Sequence, residues 1–324
     1  MAGKKQRGVH SRVPSPPEGE GQGGGSSRTS RDFTPHPNHF AGPNDSPDRL
    51  AGKIPQGGRE FLAEAIQKLS AAGIEDASRE ARLIQRNAPD EESFAAMVAR
   101  RAAREPMSHI LGRREFWSLD FAVTRHCLDP RPDSETVVET VLASLPDRAR
   151  ALRILDLGTG SGCLLLALLS ELPNATGVGV DASVEALGIA MGNAHRLGFG
   201  TRAQFVQRRW TQGLDGNFDI VVSNPPYIPT DEIDRLAPEV ARYEPRLALD
   251  GGRDGLDAYR AILPGLKRVL APDGFAVLEI GADQAEKVCR LAETMGFLNQ
   301  TVHKDLGGRD RAVKLSQFKK MIGN

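Results

Sequence analysis

The stretch Arg153-Ile154-Leu155-Asp156-Leu157-Gly158-Thr159-Gly160-Ser161-Gly162, followed by the apolar run Leu164 to Leu172, reads as a strand, a glycine turn and a helix in succession. The short run before the turn suits a buried strand, and the longer run after it suits a buried helix. Glycines at such a junction let the backbone pass close to a ligand and set it against the positive helix N-terminus. The alternation continues downstream. Val178-Gly179-Val180-Asp181 is a predicted strand and Val184 to Leu197 a helix; Phe205-Val206 and Asp219 to Ser223 are strands. Leu256 to Leu270 is a helix, Phe275 to Ile280 a strand, Gln284 to Met295 a helix, and Asn299 to His303 with Arg311 to Phe318 a closing pair of strands. Strands alternating with helices define an α/β domain with a mostly parallel sheet covered on both faces.

Two acidic residues frame the glycine turn. Asp181 closes the second strand, where a carboxylate can accept hydrogen bonds from both hydroxyls of a ribose. A dinucleotide fingerprint G-x-G-x-x-G begun at Gly158 needs its last glycine where this chain has Cys163. Asp156, before the turn, is more typical of S-adenosylmethionine enzymes, near the charged methionine end of the cofactor. Asp156, Gly158, Thr159, Gly160, Ser161, Gly162 and Asp181 are therefore the candidate cofactor-binding residues.

Upstream, Arg114 to His126 alternates through Phe116, Leu119, Phe121 and Val123, which predicts a short hairpin. Pro130 and Pro132 hold the next stretch extended, and Asp133 or Ser134 is placed to cap a helix through Val137, Val138 and Val141. From Arg59 to Arg104 the spacing is helical: Phe61, Leu62, Ala65, Ile66 and Leu69 share one face, with Gly73 ending that helix. A second helix runs through Ala81, Leu83 and Ile84, and a third through Phe94, Met97 and Val98. Residues 1–56 are rich in Gly, Pro and Ser, and disorder is expected there. The chain thus divides into a tail over 1–56, a small helical domain over 57–112, a hairpin linker over 113–132 and the α/β domain over 133–324.

Lys+Arg and Asp+Glu both total 42 in 324 residues, so no basic excess favours nucleic acid as the main partner. Cys127, Cys163 and Cys289 are scattered without a CxxC pair, which argues against both a disulfide framework and a zinc site. No metal is expected. Neither a secretory signal nor an apolar run of ~18 residues is visible, so a cytoplasmic location is expected.

Asn224-Pro225-Pro226-Tyr227 follows the predicted strand Asp219 to Ser223 directly. Residues just past the carboxyl end of a parallel strand face the ligand crevice. Two prolines keep the chain extended there and present carbonyls as acceptors. If the Asn224 side-chain oxygen and the Pro225 carbonyl each accept one N–H, a planar NH2 group is held with its lone pair aimed at a methyl donor. Positioning of this kind can be worth ~7–11 kcal/mol. Asn224, Pro225 and Tyr227 are the candidate catalytic residues; with Pro226 they form the candidate substrate site, Tyr227 packing on the flat substrate group. The motif alone leaves open whether the amine belongs to adenine, guanine or glutamine.

Further segments narrow the choice: His109-Ile110-Leu111-Gly112 with Glu115-Phe116, Pro130-Arg131-Pro132-Asp133-Ser134-Glu135, Asn193-Ala194, and Tyr243-Glu244-Pro245-Arg246-Leu247-Ala248-Leu249. With the glycine loop, Asp181 and Asn224 to Ile228, they make the chain from Arg59 onward resemble the protein-glutamine N5 methyltransferases that modify peptide-chain release factors (the HemK/PrmC family). The resemblance implies a Rossmann-like class I methyltransferase and S-adenosyl-L-methionine as cofactor. It implies that the target is the glutamine of the release factor's Gly-Gly-Gln loop, with the helical domain helping to dock that substrate. It also implies cofactor contacts at Trp210 and Asn224, and a monomer is expected. One departure stands out. The family commonly has an acidic residue before that tryptophan, whereas Arg208-Arg209 precede Trp210 here, so adenine recognition must rely on backbone or packing. The alternative is an N-methyltransferase acting on an exocyclic amine of adenine or guanine in nucleic acid. Glu244 and Asp257 are expected to make salt bridges or caps rather than to act as acid or base.

Overall fold

Helical periodicity before the hairpin produces four helices: α1 (Gln56–Ala71), α2 (Ala77–Asn87), α3 (Glu91–Ala102) and α4 (Met107–Leu111). They belong to a computed structural model that describes residues 56–318. The tail expected over 1–56 lies outside the described residues, apart from Gln56, which opens α1. Ala65, Leu69, Ala81, Ile84, Phe94 and Val98 make a separate core for this bundle. Phe61, expected on the same face, is instead 45 % exposed. Gly73 follows α1 with φ of +75°, a backbone conformation that costs glycine little.

The hairpin consists of β1 (Arg113–Phe116) and β2 (Leu119–Ala122), paired antiparallel with Phe116 opposite Leu119. Its two-residue turn places Trp117 and Ser118 at φ of +52° and +57°. Such turns favour Asn-Gly, so the side chains here need outside support. Trp117 has it: its backbone N–H donates to Glu135 and its indole N–H to Glu171, both at 2.9 Å. Phe116 and Phe121 are buried edge to face, 6.3 Å between ring centroids.

A 3-10 turn, Pro132–Ser134, leads into α5 (Glu135–Ala143). Here the capping expectation fails. Ser134 has helical dihedrals, φ −68° and ψ −16°, and makes no side-chain bond to the helix. The proline-led turn has already wound the backbone, so neither side chain can reach the orphan N–H groups. Asp133 pairs with Arg311 at 3.1 Å, and Ser134 turns inward.

Then follow β3 (Arg153–Leu157), α6 (Cys163–Glu171), β4 (Thr176–Asp181), α7 (Val184–Arg196), β5 (Ala203–Gln207), β6 (Phe218–Ser223), α8 (Pro238–Tyr243), α9 (Asp257–Val269), β7 (Leu270–Glu279), α10 (Ala285–Thr294), β8 (Phe297–Lys304) and β9 (Asp310–Phe318). The sheet order is β5-β4-β3-β6-β7-β9-β8. Pairing is parallel from β5 to β7, and β9 runs antiparallel to both β7 and β8. Strand residues alternate between two cores, as a pleated strand requires. Ile154, Ile220, Val222 and Val277 face α5 and α6; Leu155, Leu157, Val221 and Leu278 face α9 and α10. Helix α6 is buried from Leu164 to Leu169, which explains why it is apolar all round.

The described residues form one compact unit. The bundle joins the sheet domain chiefly through Glu239 of α8, which accepts from Arg104 at 2.8 and 2.9 Å and from Arg101 at 2.9 Å. Tyr243, also on α8, donates its hydroxyl to the Ala103 carbonyl at 2.8 Å. Burial alone would raise the Glu239 carboxyl, but the hydrogen bonds from Arg104 and Arg101 outweigh it and hold the group at about 2. A depressed carboxyl stabilises the fold fully above the ordinary glutamate range, and that contribution is lost as pH falls through about 2. Replacing Glu239 by Ala takes from Arg104 its carboxylate and from Arg101 one of two, the other being Glu80, and is expected to cost ~1–3 kcal/mol. Urea unfolding at neutral pH checks this, and an unchanged midpoint would contradict the clamp.

Candidate active site

The strand order reverses between β3 and β6: from β3 the chain moves outward to β4 and β5, then returns to β6 on the other side. Their carboxyl ends are neighbours, with Leu157 in register with Ser223. The glycine turn leaves one and the Asn-Pro corner the other, so the two motifs meet at the reversal crevice. A cavity of about 1020 Å³ opens there, lined among others by Gly158 to Ser161, Asp181, Trp210, Asn224 and Pro226.

The turn is held open by its own acids. Asp181 accepts from the Gly160 N–H and from the Ser183 N–H, both at 2.9 Å. Gly158, Gly160 and Gly162 all have positive φ. A Cβ on Gly158 would lie 3.3 Å from the Trp210 ring, so the indole covers the turn at the point where only glycine leaves room. Asn193 secures the other side: it donates to the Ser161 carbonyl at 2.9 Å and pairs with the Ala122 backbone in both directions. One side chain of α7 thus ties the hairpin to the glycine turn.

Asp156 is buried, and its Oδ2 accepts from the Thr159 hydroxyl at 2.6 Å. Its Oδ1 and the Ser161 hydroxyl have no partner among the described residues. Burial, helped by the nearby Asp181 charge, pushes the Asp156 carboxyl up to about 7. A buried acceptor without a donor, beside a glycine cradle, suits a cationic ligand group. The ammonium of S-adenosylmethionine is such a group, and Asp181 stands one strand away for ribose hydroxyls. The residues present fit that cofactor.

At the second motif, Asn224 donates its Nδ2 to the Ser134 hydroxyl at 3.0 Å. Its Oδ1 accepts no hydrogen bond among the described residues. Tyr227 turns away from the large cavity. With Pro225 it lines a smaller one of about 340 Å³, and its hydroxyl donates to Glu279 at 3.2 Å. The corner is braced from behind by Gln284, which donates to the Tyr227 carbonyl at 2.9 Å and the Gly255 carbonyl at 3.2 Å.

Trp210, Arg208 and Arg209 line the cavity, as do Asp257 and part of the Pro245 to Asp250 segment. Glu244 is ion-paired with Arg131, and Asp257 with Arg260 at 2.8 Å, as salt bridges were expected. Burial raises Glu244 to about 7 against the pull of Arg131. Sequence reasoning missed Ser134 as a site residue and missed Glu279 and Gln284 altogether. Each sits far from the motif in sequence, and no spacing rule marks it. No group of His, Cys, Asp and Glu among the described residues could hold a metal ion, and no described helix is long and apolar enough to cross a membrane.

Fold and crevice define a methyltransferase domain, and the profile described as "Methyltransferase domain" matches residues 149–310. A release factor glutamine methyltransferase of Caulobacter vibrioides is 46 % identical over 268 residues, covering 77 % of this chain and 92 % of that protein. One from Rhodospirillum rubrum is 44 % identical over 271 residues, covering 78 % and 83 %. A crystal structure of a release-factor-specific protein-(glutamine-N5) methyltransferase from Alicyclobacillus acidocaldarius is 29 % identical and covers 61 % of this chain and 99 % of that one, with a TM-score of 0.37. The chain belongs to the release factor glutamine methyltransferase family.

The ionised Asp156 carboxylate attracts a cation and the neutral form does not. S-adenosylmethionine binding is therefore expected at full strength above pH ~7 and weaker as pH falls through that value. Asp156→Asn is expected to weaken binding roughly tenfold at pH 8 and flatten the profile. Calorimetry between pH 6 and 8 checks both, and a flat wild-type profile would contradict the assignment.

Proposed function

We propose that this protein transfers a methyl group from S-adenosylmethionine to the side-chain amide nitrogen of the glutamine in the Gly-Gly-Gln loop of peptide chain release factors. The observation that carries the reading is the Asn224 carboxamide, which gives its N–H to Ser134 and keeps its oxygen for an incoming donor. When bound, S-adenosylmethionine supplies an electrophilic methyl on a sulfonium, whose carbon–sulfur bond breaks as the nitrogen–carbon bond forms. The chain's part is to hold the nucleophile. An amide nitrogen is weakly nucleophilic because its lone pair is delocalised. Asn224 Oδ1 and the Pro225 carbonyl accept its two N–H groups and favour the pyramidal form that attacks. The nitrogen then releases one proton to water, and no base is needed beforehand.

Glycine turn and Asn-Pro corner act at opposite ends of the crevice, one on the cofactor and one on the substrate. Tyr227 contributes by fixing the corner through Glu279 rather than by covering the substrate. The helical bundle, clamped to α8 behind the corner, supports docking of a protein rather than a nucleic acid, and its surface mixes Arg with Glu. The protein acts as a monomer in this reading.

Incubation with labelled S-adenosylmethionine and a release factor, duplex DNA or RNA separates the readings. Label in the release factor is expected, and label only in nucleic acid overturns the proposal. Asn224→Ala is expected to lower transfer at least ~100-fold while cofactor affinity by calorimetry stays near wild type. Loss of both in equal measure would remove Asn224 from its assigned role.

A further inference from the structure

Gln284 stands between the end of β7 and the start of α10, is 5 % exposed, and uses both ends of its carboxamide on backbone groups. Its Nε2 donates to the Tyr227 carbonyl at 2.9 Å and to the Gly255 carbonyl at 3.2 Å. Its Oε1 accepts from the Gly281 N–H at 3.0 Å. The neighbours set the orientation of this amide, with two acceptors on one side and a backbone donor on the other. There is no slack around it. A Cβ on Gly255 would collide with the Tyr227 carbonyl oxygen and lie 2.6 Å from Gln284 Nε2, and one on Gly251 would lie 2.9 Å from the Pro226 carbonyl oxygen.

The Asn-Pro corner needs such a hold. Proline has no N–H, so neither Pro225 nor Pro226 can be tied down as a donor once β6 has ended at Ser223. Beyond them the backbone is anchored at the Tyr227 carbonyl, by Gln284, and at Ile228. The Ile228 N–H donates to the Leu249 carbonyl at 3.1 Å, and its carbonyl accepts from the Gly251 N–H at 2.9 Å. Of these anchors the Tyr227 carbonyl is the nearer in the chain to the Pro225 carbonyl. Each proline ring locks φ near −65°, so little freedom remains between those two carbonyls. Holding the first aims the second.

We propose that Gln284 is a positioning residue for methyl transfer, which grips the Tyr227 carbonyl and thereby aims the Pro225 carbonyl at the substrate amide. The inference rests on the function proposed above and deepens it. The chemistry required at this point is a donor. A side chain of the same length without N–H groups, or with acceptors alone, leaves the corner free to turn.

The test compares wild type, Gln284→Met and Gln284→Glu in methyl transfer to a release factor between pH 6 and 9, with cofactor affinity measured by calorimetry. Displacing a positioned group by ~1 Å costs about 100-fold in rate. Gln284→Met, which keeps the length and loses the donor, is expected to lower kcat about tenfold or more. Its KM for the release factor and its cofactor affinity are expected to stay within about twofold of wild type. Gln284→Glu carries a donor only when protonated. Its neutral carboxyl can give one O–H to the Tyr227 carbonyl while the other oxygen accepts from Gly281; its ionised form sets acceptors against acceptors. Its rate relative to wild type is therefore expected to rise as pH falls, and to exceed that of Gln284→Met at the acid end.

The titratable groups around Gln284 are Tyr227 of the corner, Asp254 of the loop that carries Gly255, Tyr259 of α9, Glu279 of β7 and Arg311 of β9. Asp283, Glu286 and Lys287 are exposed beside it. Wild type and both variants keep all of these, so their titration divides out of the ratio. No transfer by wild type overturns the function and this inference together. With wild type active, Gln284→Met with kcat unimpaired, or with cofactor affinity lost as far as rate, overturns this inference alone. So does a Gln284→Glu ratio that stays flat or falls toward acid pH, and that ratio decides by itself should Gln284→Met fail to fold.

Discussion

The return of the chain from β5 across β3 to β6 creates one gap in the cover of the sheet, and the rest of the molecule is arranged around it. Helices that pack on a parallel sheet diverge where neighbouring strands send their connections to opposite faces. The crevice left between them exposes backbone ends that elsewhere are sealed. Leu157 and Ser223 lie side by side at its floor, joined by the Ser223 hydroxyl donating to the Leu157 carbonyl at 2.6 Å. That contact adds to the parallel β3–β6 ladder, which sets the distance between the two motifs that leave the strands.

Around this gap the protein keeps three carboxyls out of water: Asp156, Glu244 and Glu279, each raised by burial to about 7. Desolvation of this kind is costly unless the environment returns something. Glu244 has Arg131. Glu279 has the Tyr227 hydroxyl at 3.2 Å and the charge of Arg311 nearby. All three keep one oxygen without a hydrogen-bond partner among the described residues, but Asp156 alone stands beside the glycine turn and has no ion pair among those residues.

The helical bundle is not a passive appendage. Its arginines converge on α8, in the segment that links the Asn-Pro corner to α9, and Tyr243 of the same helix reaches back to the bundle. The arginines before Trp210 show a different economy. Arg208 is anchored through its backbone N–H to the Asp181 carbonyl at 3.0 Å and by its side chain to the Gln207 carbonyl, so the backbone keeps this wall of the cavity in register without an acidic side chain.

Periodicity and glycine placement were enough to read the sheet, its helices and the cofactor turn. Those features depend on local rules: which residues suit a strand, where φ turns positive, how long an apolar run is. The Asn-Pro-Pro-Tyr corner was legible because its four residues are contiguous. The capping reading failed where tertiary contacts outweighed propensity. Ser134 does not cap α5, because a turn and Asn224 claim it, and the Trp117-Ser118 hairpin turn carries no sequence mark because Glu135 and Glu171 supply its support. That Asn224 meets Ser134, and Tyr227 meets Glu279, depends on residues 90 and 52 positions apart in the chain being folded against each other. Hydrogen-bond direction is a property of neighbours in space, so only the packed structure decides it.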